Sequence, residues 1–257
     1  MKSNSLQNEL EQLLITLKLT KILEILPNEL DRVIQENVPP ATWLKSLLAK
    51  EAAARLERRI ERRITDSKLP ERKLVQDYDF NFQTGLDQSQ IMGLFALDFV
   101  ARKRSLIFGG HSGTGKSHLA KALLLHACQH DYRCLYTTAS AMLRHLRSGL
   151  VDDTLEQKLK RYLSPEILLI DELGFDQIEQ DETRYAALFF KVVDGRYAKA
   201  STIYTTNLDF KQLGAYLGDP VVTTAIVDRM IHHAIIVHIK GPSWRLHQSQ
   251  QINKSDT

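Results

Sequence analysis

The chain has 257 residues, 43% of them hydrophobic, which is enough to bury one α/β core and to carry a smaller helical appendage. Its 34 Lys and Arg against 31 Asp and Glu leave a net charge of +3, too small an excess to establish a nucleic-acid partner. Cys128 and Cys134 lack metal-ligand spacing, and we find neither a signal peptide nor an apolar run long enough to cross a bilayer. We therefore expect a soluble cytoplasmic protein with buried thiols and no membrane contact.

The first part of the chain has a helical pattern of leucines, broken at Pro27 and again at Pro39-Pro40. After the second break, Thr42 can cap a long helix that ends near Thr65 and is rich in strong helix formers. These features predict a small all-helical domain over residues 1–69.

This long helix carries a segregated basic side, which we call the arginine face: Arg55, Arg58, Arg59, Arg62 and Arg63. Between Lys50 and Lys73 there are nine Lys or Arg and five Asp or Glu, so positive charge is concentrated here. Such a face can neutralise DNA phosphates, although no motif here reads base edges. A solvated helix side and a protein-docking surface remain alternatives.

Leu69-Pro70 ends the helix and places a domain boundary near residue 70. A polar linker with interleaved aromatic residues follows, and then a helix over about 87–102. Short apolar strands next alternate with helices, in the order SLIFG, GKSHLAKALLLHACQH, RCLYTT, AMLRHLRSGL, EILLID, TRYAALFFKVVDGRYA and STIYTTN. This alternation predicts an α/β domain over residues 70–257, with a parallel sheet between helices.

Residues 110–117, GHSGTGKS, match the phosphate-loop pattern G-x-x-x-x-G-K-[ST], and they follow an apolar strand and open a helix, as the motif requires. Glycines and the helix N-terminus aim backbone N–H groups at a triphosphate, Lys116 adds a charge for the β and γ phosphates, and the Ser117 hydroxyl suits Mg²⁺. We expect nucleotide contacts from nine consecutive residues: Gly110, His111, Ser112, Gly113, Thr114, Gly115, Lys116, Ser117 and His118, the last through its backbone N–H.

Two carboxylates, Asp171 and Glu172, end the apolar strand ILLIDE. Carboxyl ends of parallel strands meet at one edge of the sheet, so the pair should lie beside the phosphate loop. We expect Asp171 to hold Mg²⁺ through a water and Glu172 to orient and deprotonate the attacking water. An Asp-Glu pair that only caps a helix is the structural alternative.

Three further polar residues are candidates. Asn207 ends the strand STIYTTN and can report between the γ phosphate and the attacking water, with Thr205 and Thr206 as weaker candidates and an Asx-turn as the alternative. Arg229 and Arg245 lie on segments flanked by apolar residues and can each present a fixed guanidinium. Spacing alone assigns neither arginine, and an unrelated surface salt bridge is the alternative for each.

The motifs and their order resemble the IstB-like ATP-binding protein family, the AAA+ helpers of insertion-sequence transposition, related to DnaC-type helicase loaders. The resemblance covers nearly the whole chain and rests on RLERRIERRI, LPERKLVQDYDFNF, GTGKSHLAKAL, LLIDELG, TTN, DRMIHHA and GPSWRL. It implies an AAA+ ATPase that uses ATP and Mg²⁺, assembles into a homo-oligomer on double-stranded DNA and presents target DNA to a cognate transposase.

The resemblance also implies roles for both arginines. Arg229 would reach a neighbouring subunit's nucleotide as an arginine finger, while Ser243 and Arg245 would form a second sensor that touches the phosphates of their own subunit. The loop GGHSGTGKS lacks the prolines that relatives usually carry, and TTN and SWR replace Thr-Ser-Asn and Ser-Tyr-Arg. No functional group is lost. Because the missing prolines alter the stiffness of the loop and Trp244 repacks the sensor segment, we expect the hydrolysis rate to be more affected than ATP binding.

Functions of other classes remain as alternatives. A small-molecule kinase would share the phosphate loop but needs an acceptor site and a lid, for which the sequence shows no pattern. A helicase loader would hold single-stranded DNA, for which stacking aromatic residues are expected. A nearly inactive ATP-dependent DNA scaffold would function by assembly alone.

Overall fold

The structure is a computed structural model and describes residues 2–174, 183–209, 212–213, 216 and 220–255. The chain divides into two compact units, Met1–Arg62 and Arg63–Thr257. The domain boundary near residue 70 stays a prediction.

The first unit is helical. It contains α1 (Lys2–Thr16), α2 (Thr20–Glu36) and most of α3 (Pro40–Asp66). Apolar residues at helical spacing form its core, and the buried ones are Leu14, Ile22, Leu26 and Leu47. Burial of this shared apolar face stabilises three helices that would be marginal in isolation.

Two details of the predicted helices are wrong. Pro27 lies inside α2 and does not break it; we attribute this to burial of Ile22 and Leu26 on the same helix, which offsets the hydrogen bond that proline removes. The break comes earlier, at a turn where Lys18 has φ 55°. Thr42 lies within α3 and does not cap it, because the helix already begins at Pro40, where a missing N–H costs little.

The second unit alternates strands and helices. The helices are α4 (Gln88–Leu94), α5 (Asp98–Ala101), α6 (Lys116–Gln129), α7 (Ala139–Val151), α8 (Leu155–Leu163), α9 (Thr183–Arg196), α10 (Pro220–His232) and α11 (Trp244–Ser255). The strands are β1 (Ser105–Gly110), β2 (Cys134–Thr138), β3 (Ile167–Leu173), β4 (Ser201–Thr206) and β5 (Ala234–Ile239). A short 3₁₀ helix, Val75–Asp77, precedes α4.

The five described strands form one parallel sheet in the order β2-β3-β4-β1-β5. The predicted α/β class with a parallel sheet is confirmed. In this order β4 lies between β1 and β3. The carboxyl end of β1, which leads into the phosphate loop, is therefore close to the carboxyl end of β3, which carries the carboxylate pair. β5, which the predicted alternation does not include, pairs with β1 along its whole length.

The helix predicted over about 87–102 is two helices. Asp87 caps α4 by accepting from the backbone N–H groups of Ser89 and Gln90, and α5 starts after Leu97, which has φ 61° and is 5% exposed. A left-handed residue ends the α-helical path locally, and burial of the Leu97 side chain compensates for it.

The core of this unit lies against the sheet. β3 is buried along its length except at Glu172. Leu168 and Ile170 pack with residues of α7, α8, α9 and α10, including Leu146 and Phe189. Both predicted buried thiols, Cys128 and Cys134, are free and buried.

Candidate functional site

The phosphate loop leads from β1 into the N-terminus of α6, which begins at Lys116. Gly113 and Gly115 have φ angles of 80° and 90°, a region in which side chains are strained. A Cβ atom at Gly113 would overlap Ser243, and one at Gly115 would overlap the ring of Tyr78. Both positions therefore need glycine for its backbone freedom and for its small size.

Lys116 is only 5% exposed, and its ammonium donates to the carbonyl of His111 at 2.7 Å. Burial lowers the pKa of Lys116 to about 8; the charge of Asp171 raises it, and that of Arg245 lowers it further. An ammonium that has lost most of its water can gain strongly from an anion, since the cost of desolvation has already been met by folding.

Asp171 is fully buried and surrounded by donors. Its Oδ1 accepts from the Ser117 hydroxyl at 2.7 Å and from the Thr205 hydroxyl. Its Oδ2 accepts from the Tyr136 hydroxyl at 3.3 Å and lies 3.9 Å from Lys121 Nζ. The structure thus brings together the two oxygen ligands predicted for Mg²⁺.

Glu172 points away from its neighbour because β3 bulges there. The pairing of β3 with β4 shifts register between Ile170 and Leu173, and Glu172 has φ 61°. Its backbone N–H donates to the Thr205 hydroxyl at 3.0 Å, while its side chain is exposed and lines a cleft. Bulges commonly re-aim a side chain beside a functional site, and this one separates a buried carboxylate from an accessible one.

The cleft has a volume of about 540 Å³, within the range of small-molecule sites. Its floor is the phosphate loop and the start of α6, residues 112–118. Other lining residues are Glu71, Lys73, Asp77, Tyr78, Asp79, Phe82, Gln83, Lys121, Glu172, Trp244, Arg245 and Gln248. One cavity therefore includes both the phosphate loop and a pair of aromatic rings. The ring centres of Phe82 and Trp244 are 4.9 Å apart.

A segment that the sequence predicted to be a linker packed on the following domain forms one wall of the cleft. We call residues 71–83 the linker wall. The carbonyl of Leu74 lies 2.8 Å from His118 Nε2, and the Tyr78 hydroxyl donates to the carbonyl of Thr114 at 3.0 Å. The interleaved aromatic residues of the linker indicated packing, but no spacing rule predicts that they contact the phosphate loop.

A comparison with known families identifies the chain. The profile of the IstB-like ATP binding protein family matches residues 12–252. The chain belongs to this family. The predicted resemblance is confirmed and extends across both units.

Relatives agree with the family assignment, and solved structures share the fold. The insertion sequence IS21 ATP-binding protein of Pseudomonas aeruginosa is 33% identical over 244 residues, covering 95% of this chain and 91% of its own length. The corresponding IS5376 protein of Geobacillus stearothermophilus is 35% identical, covering 83% and 84%. The fold is similar to that of DnaI (TM-score 0.52, 24% identity, 67% of this chain and 90% of that one). Domain III of Thermotoga maritima DnaA is also similar (TM-score 0.50, 21% identity, 68% and 72%).

The two family arginines lie in different places. Arg245 is exposed and lines the cleft, close enough to affect the pKa of Lys116. The backbone N–H of its neighbour Trp244 donates to the carbonyl of Gly113 at 3.0 Å, so the start of α11 is tied to the phosphate loop. Arg229, on α10, is not among the residues that line the cleft.

Arg229 is fixed by two residues of α9, Asp194 and Phe190. Its Nε donates to Asp194 at 2.8 Å, and its guanidinium lies 4.8 Å from the centre of the Phe190 ring, with the side chain 31% exposed. Asn207 is exposed after the end of β4 and does not line the cleft either. Thr205, the weaker candidate, is the residue of this strand that contacts Asp171.

The arginine face is partly occupied by ion pairs of its own unit. Arg55 and Arg58 reach Glu51 Oε1 at 3.0 and 3.2 Å, although their side chains remain 50% and 52% exposed. Glu51 is 3% exposed and also accepts from the backbone N–H of Ile22 at 3.1 Å. Two of the arginines therefore stabilise the first unit as well as contributing positive surface.

None of the described helices is long and apolar enough to cross a membrane.

Proposed function

We propose that this protein binds ATP in the cleft and hydrolyses it to ADP and phosphate. The observation that carries the proposal is the meeting of four groups at one edge of the sheet: Lys116, Ser117, Asp171 and Glu172. Lys116 binds the β and γ phosphates, and Glu172 takes the proton of the attacking water. Loop residues 110–118 hold the phosphates through their backbone.

Magnesium fits the residues present. Ser117 Oγ and Asp171 Oδ1 are 2.7 Å apart, both are oxygens, and Mg²⁺ needs only one or two protein oxygens beside substrate phosphates and water. Ser117 and Asp171 would hold the ion, which would supply positive charge for the phosphates.

ATP affinity is expected to fall about 10-fold between pH 7 and pH 9 because the triphosphate binds the protonated Lys116. The pKa of Lys116 in the free protein is about 8. Below that pH the ammonium is already formed; above it, binding must take up a proton, so affinity falls by at most one decade per pH unit. Calorimetry in two buffers of different ionisation enthalpy measures both affinity and proton uptake. An affinity that stays constant to pH 9 would contradict the assignment.

We infer further that hydrolysis drives an assembly switch on duplex DNA that serves a transposase. Family membership and relatives named as insertion-sequence ATP-binding proteins support a transposition role, and the exposed arginine face supports phosphate contact. Arg229 acts as a finger toward the neighbouring subunit's nucleotide, which explains its place outside its own cleft. Arg245 contacts phosphates in its own subunit, and Asn207 reports on the γ phosphate.

DNA binding and assembly are tested together. A fluorescent duplex of random sequence and its single strand are titrated with ATP or ADP over a salt series, while particle size is followed. We expect ATP-dependent growth in size on the duplex. Preference for the single strand would favour a helicase loader, and binding to neither form would exclude DNA handling while leaving the ATPase site.

Replacing Arg59 and Arg62 by Ala is expected to lower the salt slope of duplex binding by about 2, since each lost phosphate contact removes about 0.9. Both side chains are exposed. The matched control replaces two exposed lysines of the second unit, Lys191 and Lys199, by Ala. An equal change of slope in both variants would mean that overall charge, and not the arginine face, determines binding.

A further inference from the structure

Lys121 adds a positive charge to the cleft that the phosphate loop and the carboxylate pair do not need. It lies four residues after Ser117 on α6, and its side chain is 13% exposed. Its Nζ is 3.0 Å from Glu71 Oε1 and 3.9 Å from Asp171 Oδ2. A single ammonium thus lies between a carboxylate of the linker wall and the carboxylate assigned to magnesium.

The two oxygens of Asp171 have different neighbours. Oδ1 accepts from the Ser117 and Thr205 hydroxyls, whereas Oδ2 lies near the Tyr136 hydroxyl and the Lys121 ammonium. The ammonium is also 5.6 Å from the centre of the Tyr136 ring. A cation this close to a carboxylate opposes a second cation at the same group, so Lys121 and magnesium compete for the charge of Asp171.

Glu71 acts against that competition. It accepts from the Lys121 ammonium at 3.0 Å through Oε1, and its second oxygen pairs with Lys73 Nζ at 3.1 Å. The hydrogen bond from Lys121 is the main cause of the lowered pKa of Glu71, so the carboxylate is ionised at neutral pH. The shorter of the two Lys121 distances is the one to Glu71, which leaves the charge of Asp171 only partly neutralised.

We propose that Lys121 and Glu71 are positioning residues that set the magnesium affinity of the site. The Lys121 ammonium opposes the metal at Asp171, and Glu71 draws the ammonium away from it. The two residues therefore have opposite effects, although both lie outside the sequence motifs of the site. This inference rests on the proposed magnesium–ATP site.

The test measures the dissociation constant of a non-hydrolysable ATP analogue by calorimetry, once in excess EDTA and once in excess magnesium. The ratio of the two constants is the gain from magnesium. Lys121→Met is expected to raise the gain about 5-fold, because an opposing charge is removed, and Glu71→Gln is expected to lower it about 5-fold, because Lys121 is left with Asp171 as its partner.

Two further variants separate this mechanism from a general field. Lys73→Met removes the same charge from the same cleft at a residue that pairs with Glu71, so it is expected to change the gain less than Lys121→Met, whose ammonium lies beside Asp171 itself. The double variant of Lys121→Met and Glu71→Gln is expected to match Lys121→Met, since Glu71 acts through Lys121. Thermal midpoints verify that each variant is folded.

The inference is overturned if Lys121→Met leaves the gain unchanged, if Glu71→Gln shifts it in the same direction as Lys121→Met, or if Lys73→Met raises it as much. A wild-type protein that binds the analogue equally well in EDTA and in magnesium would overturn the magnesium site itself, and one that binds no analogue would overturn the ATP site. The two dissociation constants therefore distinguish failure of this inference from failure of the magnesium site and from failure of the ATP site.

Discussion

Replacing Glu172 by Gln is expected to lower ATP hydrolysis roughly 1,000-fold, the scale of a lost general base, while ATP binding persists. Glu172 is the exposed carboxylate of the bulge and lines the cleft, whereas Asp171 is buried against Ser117 and Thr205. The amide keeps the shape of the side chain and cannot take a proton. Phosphate release and analogue affinity are measured on the same preparation.

Glu156→Gln is the matched control, because Glu156 is an exposed carboxylate in the first turn of α8. It is expected to hydrolyse ATP at the wild-type rate. If Glu172→Gln also retains that rate, another residue is the base and the proposed chemistry is wrong. If the wild-type protein itself turns over no ATP but still assembles on DNA, the scaffold alternative is correct.

The same variant tests whether Arg229 acts between subunits. A Glu172→Gln subunit still presents its arginine, and an Arg229→Ala subunit still carries its base. Each variant alone is expected to be inactive, and a mixture of the two is expected to regain part of the activity, because some neighbours then combine an intact base with an intact finger. Absence of any recovery in mixed assemblies would restrict Arg229 to its own subunit.

Replacing Arg196 by Met is expected to lower the free energy of unfolding by about 4 kcal/mol, the scale of a broken buried hydrogen-bond network. Arg196 is 2% exposed at the end of α9. Its Nη1 donates to the carbonyls of Tyr162 and Pro165 at 2.8 and 2.9 Å, and its Nε donates to Thr202 at 2.9 Å. Burial lowers the pKa of Arg196 to about 10, so it remains charged at neutral pH.

Methionine fills a similar volume but leaves those buried carbonyls without a donor, which is the costly half of the change. Thermal unfolding should show a midpoint lowered by roughly 10 °C. The control is Arg144→Met, a substitution at an exposed position of α7, with an expected effect within about 0.5 kcal/mol. Equal midpoints for the two variants would show that the network of Arg196 contributes no net stability.

Local patterns were sufficient where the chemistry depends on neighbours in the chain. The phosphate loop could be predicted because its glycines, lysine and serine are consecutive and lie between a strand and a helix. The pair Asp171 and Glu172 could be placed beside it because strands in a parallel sheet end at one edge. Pro27 misled the helix assignment because burial elsewhere on α2 outweighs its local cost.

Contacts between distant segments required the fold. No pattern around Thr205 indicates that its hydroxyl bridges Asp171 and the backbone of Glu172, and nothing near Glu71 indicates a pairing with Lys121, 50 residues later. These contacts depend on strand order and on a linker wall that packs along the cleft. Neither the strand order nor the packing of the linker wall follows from a periodic pattern in the sequence.

By itself, therefore, the sequence determined the family, the α/β class, the phosphate loop and the identity of both carboxylates, since each depends on short-range spacing of residue types. Only the tertiary structure decided how those groups are used. A one-residue bulge in β3 exposes Glu172 and buries Asp171, and the linker wall brings Glu71 to Lys121 of α6, which lies 3.9 Å from Asp171. Exposure and charge environment come from packing between segments far apart in the chain, which local spacing does not encode.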